Sequence, residues 1–283
     1  MLKAMDSVSD SPCFPSKVYG IDFSGAKKAG SKIWIASAII EGNVLQIEDC
    51  RQGKELLGAT GRDHCLRTLR DFISTQKAGA FGLDFPFGLP EKVIKADSWE
   101  EFVLSFGNRY SDPEQFRKIC WVTAGNCEER RDTDRNSQTP LSPYNRRLYR
   151  QTYYGIRDVL APLVRDQLAC VLPMQRISPS GPWLFEICPA STLNRMGLRQ
   201  PYKGLNKGSD RKAIRAHILA GIEKTGFVII KPSALRSTIL DDPDGDALDS
   251  VIAAFATFRA VSSLVHAIVP GTGTYALEGY VYV

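Results

Sequence analysis

KVYGIDF, residues 17–23, is the stretch on which the fold turns. A short apolar run ends on an acid, Asp22, and Ser-Gly follows, which reads as a buried strand closed by a turn. SKIWIASAII (31–40) and VLQIEDC (44–50) read as second and third strands, and the EGN between them as a tight hairpin turn, so at least these two are antiparallel. Leu66, Leu69, Phe72 and Ile73 give helical spacing across 62–76, and Gly79 begins a fourth strand, AFGLDF, stopped by Pro86. The order is β, β, β, α, β.

Residues 91–182 break that rhythm. SWEEFVLSFGNRY and DPEQFRKICW look helical, and an arginine-rich, proline-punctuated stretch follows, so this part reads as an inserted, largely helical subdomain rather than a repeat. The strand signal returns with WLFEICP (183–189). SDRKAIRAHILAGIEK (209–224) reads as a helix opened by Ser209 or Asp210, FVIIK (227–231) as a short extended piece, and the closing GYVYV as a late edge strand. Residues 1–16 read as a loose tail. The expectation is a single α/β domain over 1–283, its mixed sheet antiparallel at the N-terminal strands, parallel afterwards and flanked by helices.

The stretch DDPDGDALDSVIAAFATFR (241–259) predicts a helix with Leu248, Val251, Ile252 and Phe255 on its core face. Asp241 or Asp242 can cap it and Pro243 suits its first position, although a start after Asp244 fits as well. Either way Asp246 and Asp249 stand one turn apart, beside the apolar stripe. Capping and the helix dipole alone can account for two such acids.

Three strands supply further acids: Asp22 in YGIDFSG, Asp84 in FGLDFPFG and Glu186 in LFEICPA. In open α/β sheets ligands gather beyond the carboxyl ends of strands, so acids placed there point toward one site. An Asx turn is the plainer explanation for Asp22 or Asp84, whereas a carboxylate inside the apolar run around Glu186 needs a partner. Clustered carboxylates repel one another unless a cation neutralises them, and all-oxygen ligands suit Mg²⁺ or Mn²⁺. The three histidines lie outside these motifs.

The net charge of +5 is concentrated: residues 117–157 hold nine Lys or Arg against four acids. A polyanion such as DNA or RNA is the partner this suggests, held through Arg130, Arg131, Arg146, Arg147 or Arg150, with bases stacked on Tyr144, Tyr149, Tyr153 or Tyr154. A solvated arginine-rich loop over packed tyrosines is the ordinary alternative. Seven scattered cysteines with no CxxC pair indicate neither a disulfide framework nor a zinc site. No apolar run approaches the ~20 residues of a membrane span, and the first residues lack the apolar centre of a secretion signal, so a soluble cytoplasmic protein is expected. A monomer and a homodimer are both left open.

The segments YGIDFSGA, FGLDFPFGLP, LFEICPASTL and DGDALDSVIAAFA, with the closing LEGYVYV, resemble the predicted-nuclease family known as domain of unknown function 429, of the ribonuclease H-like superfamily. The strand and helix order derived above is also the ribonuclease H-like order. The resemblance implies that Asp22 matches the superfamily's first-strand acid, Asp84 the fourth-strand acid, and Asp246 and Asp249 the late helical acids, spaced like the paired aspartates of Holliday-junction resolvases. Glu186 belongs to the narrower family's pattern. The implied activity is hydrolysis of nucleic acid phosphodiesters, with two divalent ions roughly 3.5 to 4 Å apart on Asp22, Asp84 and the helix acids. Two other functions fit less of the chain. A phosphotransferase of the actin and sugar-kinase type would use the turn Asp22–Gly25, but would normally carry a duplicated core. A non-catalytic nucleic-acid-binding module would gain nothing from the acids.

Overall fold

Strands β1 (Lys17–Asp22), β2 (Trp34–Glu41) and β3 (Val44–Gln52) pair antiparallel in chain order in the computed structural model, which describes residues 14–178, 181–204, 210–231, 233–266 and 273–283. The β2–β3 hairpin closes through Gly42 and Asn43, and Gly42 has φ of 62°, a conformation glycine adopts without steric cost. After the short α1 (Gly53–Leu56), α2 (Arg62–Thr75) buries Cys65, Leu66, Leu69 and Ile73 and leads into β4 (Gly79–Leu83), parallel to β1.

Helices dominate the stretch expected to be inserted: α3 (Trp99–Arg109), α4 (Pro113–Thr123), α5 (Asp132–Asn136) and α6 (Tyr149–Gly155), which continues through a π-helical turn (Ile156–Leu160) into α7 (Ala161–Arg165). Ser98 and Asp112 cap α3 and α4 by accepting from Glu101 N and Gln115 N. The same stretch also contributes a strand that the sequence reading did not anticipate, β5 (Cys170–Leu172), at the sheet edge beside β6 (Trp183–Ile187).

Four helices follow: α8 (Pro189–Arg195), α9 (Arg211–Glu223), α10 (Ser233–Asp241) and α11 (Asp246–His266), with β7 (Val228–Ile230) after α9. Asp210 caps α9; Ser209, the other expected cap, lies outside the described residues. The chain closes with α12 (Tyr275–Glu278) and β8 (Val281–Tyr282). Among the described residues the sheet runs β5-β6-β4-β1-β2-β3-β7, with β8 on β6 at Glu186–Ile187, just past the end of β5. This is a mixed α/β sheet, antiparallel over β1–β3 and parallel elsewhere.

Each face of the sheet carries its own core. Ile21, Phe81, Leu83 and Leu184 meet α2, α3, α4, α6 and α7, while Val18, Ala80, Trp183 and Phe185 meet α8, α9, α10 and α11. The 19 residues Asp246–Leu264 reach a mean hydropathy of 1.3, enough in length and composition to cross a membrane, although three charged residues interrupt them. Core packing accounts for that apolarity, since 78% of the stretch is buried within the protein. The expected loose tail at 1–16 falls largely on residues 1–13, outside the described residues; Phe14 packs edge-on against Trp183 and Ser16 N donates to Ala78 O.

Candidate metal centre

Asp22 is the last residue of β1, and Asp84 follows β4 directly, its N–H donating to Ile21 O at 3.0 Å. Both acids stand at the carboxyl ends of adjacent parallel strands. The pleat then decides which face they serve. Gly20 and Gly82, two residues earlier, face α11 so closely that a Cβ would lie 2.0 Å from Ser250 O and 1.9 Å from Thr257 Oγ1. Side chains two apart share a face, so Asp22 and Asp84 are also on the α11 side.

Helix α11 brings the other two acids. Gly245 turns the chain at φ of 76°, and the Asp242 carboxylate accepts from Ala247 N at 2.9 Å. Of the two starts the sequence allows, the later is found: the helix begins at Asp246, Pro243 precedes it, and Asp241 ends α10, where it pairs with Lys212. Carboxylate oxygens of Asp22, Asp246 and Asp249 thereby lie within 4.8 Å of one another. Asp84 is not in that triad but borders, with Asp22 and Asp246, an adjoining cavity of about 240 Å³ whose wall also includes Ser24, Lys32, Gln151 and Lys203.

One half-exposed cation reaches in among these acids. Lys203 Nζ lies 2.5 Å from Asp249 Oδ2 and 3.1 Å from Asp246 Oδ1, and Tyr202 OH donates to Asp249 Oδ1. Burial pushes Asp22 well above the usual carboxylate range; Lys203 pulls it down, and Asp249, Asp246 and Asp84 push it further up. Burial, helped by Asp249 and opposed by Lys203, raises Asp84 to about 8. Asp246 is also raised, mainly by burial. For Lys203 burial acts downward, but Asp249, Asp22 and their neighbours outweigh it and hold the ammonium charged. A cluster of carboxylates this hard to ionise, with oxygen donors only, fits a hard divalent cation.

Glu186 is not part of this cluster. Leu83 pairs with both Ile21 and Glu186 across the sheet, so Glu186 shares the face of those two residues and Asp22 and Asp84 take the opposite one. There both its oxygens are engaged by the Arg131 guanidinium, and Oε2 also accepts from Phe87 N at 2.8 Å. Burial raises Glu186 and Arg131 opposes the rise. The partner its apolar surroundings demanded is an arginine, and its expected place among the catalytic acids is corrected accordingly.

Arg131 is corrected with it: fully buried between Asp134 and Glu186, it offers nothing to a phosphate. Arg130, Arg146, Arg147 and Arg150 are exposed, Arg150 in an ion pair with Glu114. Arg147 also lines a cleft of about 960 Å³ that reaches Asp84, Asp249 and Lys203. Of the tyrosines expected to stack on bases, Tyr144, Tyr153 and Tyr154 are buried, and Arg62 covers the Tyr154 ring at 3.7 Å. Tyr149 is half-buried and receives a hydrogen bond from Arg150 Nε. The six described cysteines are free thiols.

Sequence reasoning missed Tyr202 and Lys203, which sit in PYKG, a loop with no periodicity or motif. A legible signal did exist for the strand acids: G-x-D occurs in both YGIDF and FGLDF, the glycine admitting the helix that the aspartate faces. No protein-family model, curated protein or solved structure matches the chain.

Proposed function

We propose that the protein is a metal-dependent nuclease of the ribonuclease H-like kind, hydrolysing phosphodiester bonds of DNA or RNA. The observation that carries this reading is the convergence of Asp22, Asp84, Asp246 and Asp249 from two strand ends and a helix start on one face of the sheet. The antiparallel β1–β3, then α2, then the parallel β4 follow the order that the motif resemblance implies. Asp22, Asp84, Asp246 and Asp249 would hold Mg²⁺ or Mn²⁺. Such a cation, when bound, draws charge from phosphate oxygens and lowers the pKa of a coordinated water.

The chain's own residues do the rest. The acids alone repel a phosphate and would place it only through the cation they hold, while the exposed Arg147 on the cleft wall can meet the polyanion directly. The phosphotransferase reading gains no support at the Asp22–Gly25 turn. A Cβ at Gly25 would lie 2.7 Å from Arg150 O, so α6 covers the turn where nucleotide phosphates would sit.

The test is a Mg²⁺ and Mn²⁺ cleavage panel over labelled single-stranded, duplex, hybrid and junction substrates. Asp22→Asn and Asp246→Asn are expected to lose at least a hundredfold in rate while keeping the wild-type circular dichroism spectrum. Equal cleavage by Asp22→Asn sinks the mechanism, and salt-sensitive binding without cleavage of any substrate favours a binding module.

A further inference from the structure

We propose that Lys203 takes the place of a second metal ion, so that the cluster binds one divalent cation rather than two. The proposal rests on the reading of the cluster as a metal centre and departs from the two-ion arrangement that the sequence resemblance implies.

The cluster's oxygens divide into two groups. Both oxygens of Asp249 are engaged, one by the Tyr202 hydroxyl and the other by the Lys203 ammonium, and Lys203 also holds Asp246 Oδ1. Among the described residues no hydrogen-bond donor reaches the carboxylates of Asp22 or Asp84, and these two line the open cavity together with Asp246. The vacant oxygens of Asp22 and Asp84 therefore share one cavity wall with a cation that is tethered to the acids of α11, and Asp246 belongs to both groups.

Charge points the same way. With Lys32 on the same wall paired to Asp244, four carboxylates and the Lys203 ammonium leave three negative charges formally uncompensated. One divalent ion at the open cavity, on Asp22 and the free oxygen of Asp246 with Asp84 on the same wall, brings the site close to balance, with Lys203 kept in its ion pairs. A second divalent ion on Asp249 would have to displace both Lys203 and the Tyr202 hydroxyl, or sit against the ammonium at a few ångströms, where like charges repel strongly. Lys203 would thus be a positioning residue for Asp246 and Asp249, and its charge would lie within reach of a phosphate at the cleft mouth.

Counting bound Mn²⁺ by equilibrium dialysis and by electron paramagnetic resonance tests this without reference to activity. The wild type is expected to bind one ion with an isolated mononuclear signal, and Lys203→Arg to do the same. Lys203→Met, which removes the charge at similar length, is expected to bind two ions with a spin-coupled signal, the second at least tenfold tighter than any second ion in the wild type. Two coupled ions in the wild type overturn the proposal and leave the metal centre standing. One ion in both the wild type and a folded Lys203→Met also overturns it, because the lysine then excludes nothing. No Mn²⁺ binding by any variant overturns both the proposal and the metal-centre reading. If Lys203→Met fails to fold, Lys203→Gln is counted in its place and is likewise expected to bind the second ion, one ion there overturning the proposal.

Discussion

Arg131 donates from Nε and Nη2 to Asp134, from both terminal nitrogens to Glu186, and from Nη1 to Glu278 O at 3.1 Å, with no solvent exposure. The Glu278 carboxylate accepts in turn from Glu91 N and Asp132 N, both at 2.7 Å. This network ties α5 and the C-terminal segment to β6, and its geometry leaves no carboxylate oxygen of Glu186 or Asp134 for outside chemistry. Removing the guanidinium strands two buried carboxylates, a change that costs about 3–5 kcal/mol when one partner of a buried pair is lost. Arg131→Met should therefore lower the unfolding free energy by that amount in urea titrations, while folded Arg131→Met still gains thermal stability from Mn²⁺ as the wild type does. A loss below about 1 kcal/mol would mean that the ion pair is not structural. In the sequence Glu186 and Asp84 look alike, each a strand-end acid in an apolar run; one step of pleat parity makes one a core ion and the other a cluster acid.

Helix α11 can place Asp246 and Asp249 over Asp22 only because the sheet beneath it lacks side chains at two points. At Gly20 a methyl group would meet backbone atoms, 2.0 Å from Ser250 O and 2.2 Å from Ala254 N, and at Gly82 it would meet Thr257 Oγ1 at 1.9 Å and Ala253 O at 3.0 Å. Backbone cannot rotate aside as a side chain can. Gly20→Ala should destabilise by at least the roughly 1–3 kcal/mol typical of overpacking, and Gly82→Ala by somewhat less. Gly61→Ala, with open space around the added carbon, should cost under about 1 kcal/mol. Thermal melts of the three variants check the ranking; equal losses at Gly20 and Gly61 would remove the close-packing argument. Much of this layout was legible beforehand. Apolar runs and turn residues located β1 to β4 and α2, and the i, i+3 spacing located the α11 acids, because those patterns are local. Beta5 escaped because three residues are too few to carry a period, and Lys203 and the Arg131–Glu186 pair escaped because their partners are remote in sequence. Glu186 lies 55 residues from Arg131, and no pattern along the chain records that distance.

Three of the acids raised by burial and mutual repulsion, Asp22, Asp84 and Asp246, lie together at one end of the sheet, on the face opposite the buried Arg131–Glu186 pair. This gives the whole molecule's stability a definite pH dependence. Asp84 is raised from 3.8 to about 8, so between those values the folded protein holds a proton that the unfolded chain has released. Folding then takes up protons, and stability falls as pH rises through that window, with the full penalty present above it. Asp22 and Asp246 are shifted in the same direction and add to the slope. In EDTA the melting temperature is therefore expected to fall from about pH 5 to about pH 8.5, and Asp84→Asn, which removes one of these groups, should flatten the fall. A divalent cation requires the ionised carboxylates and so reverses the balance: its binding strengthens as pH rises. At a fixed Mn²⁺ concentration a hundred times the dissociation constant found at the alkaline end, the gain there is about 2.7 kcal/mol and shrinks as pH falls and binding weakens. Melting curves with and without Mn²⁺ should thus diverge with increasing pH. Curves that stay parallel, or a wild type no more pH-sensitive in EDTA than Asp84→Asn, would show that the acids do not carry the strain their burial implies.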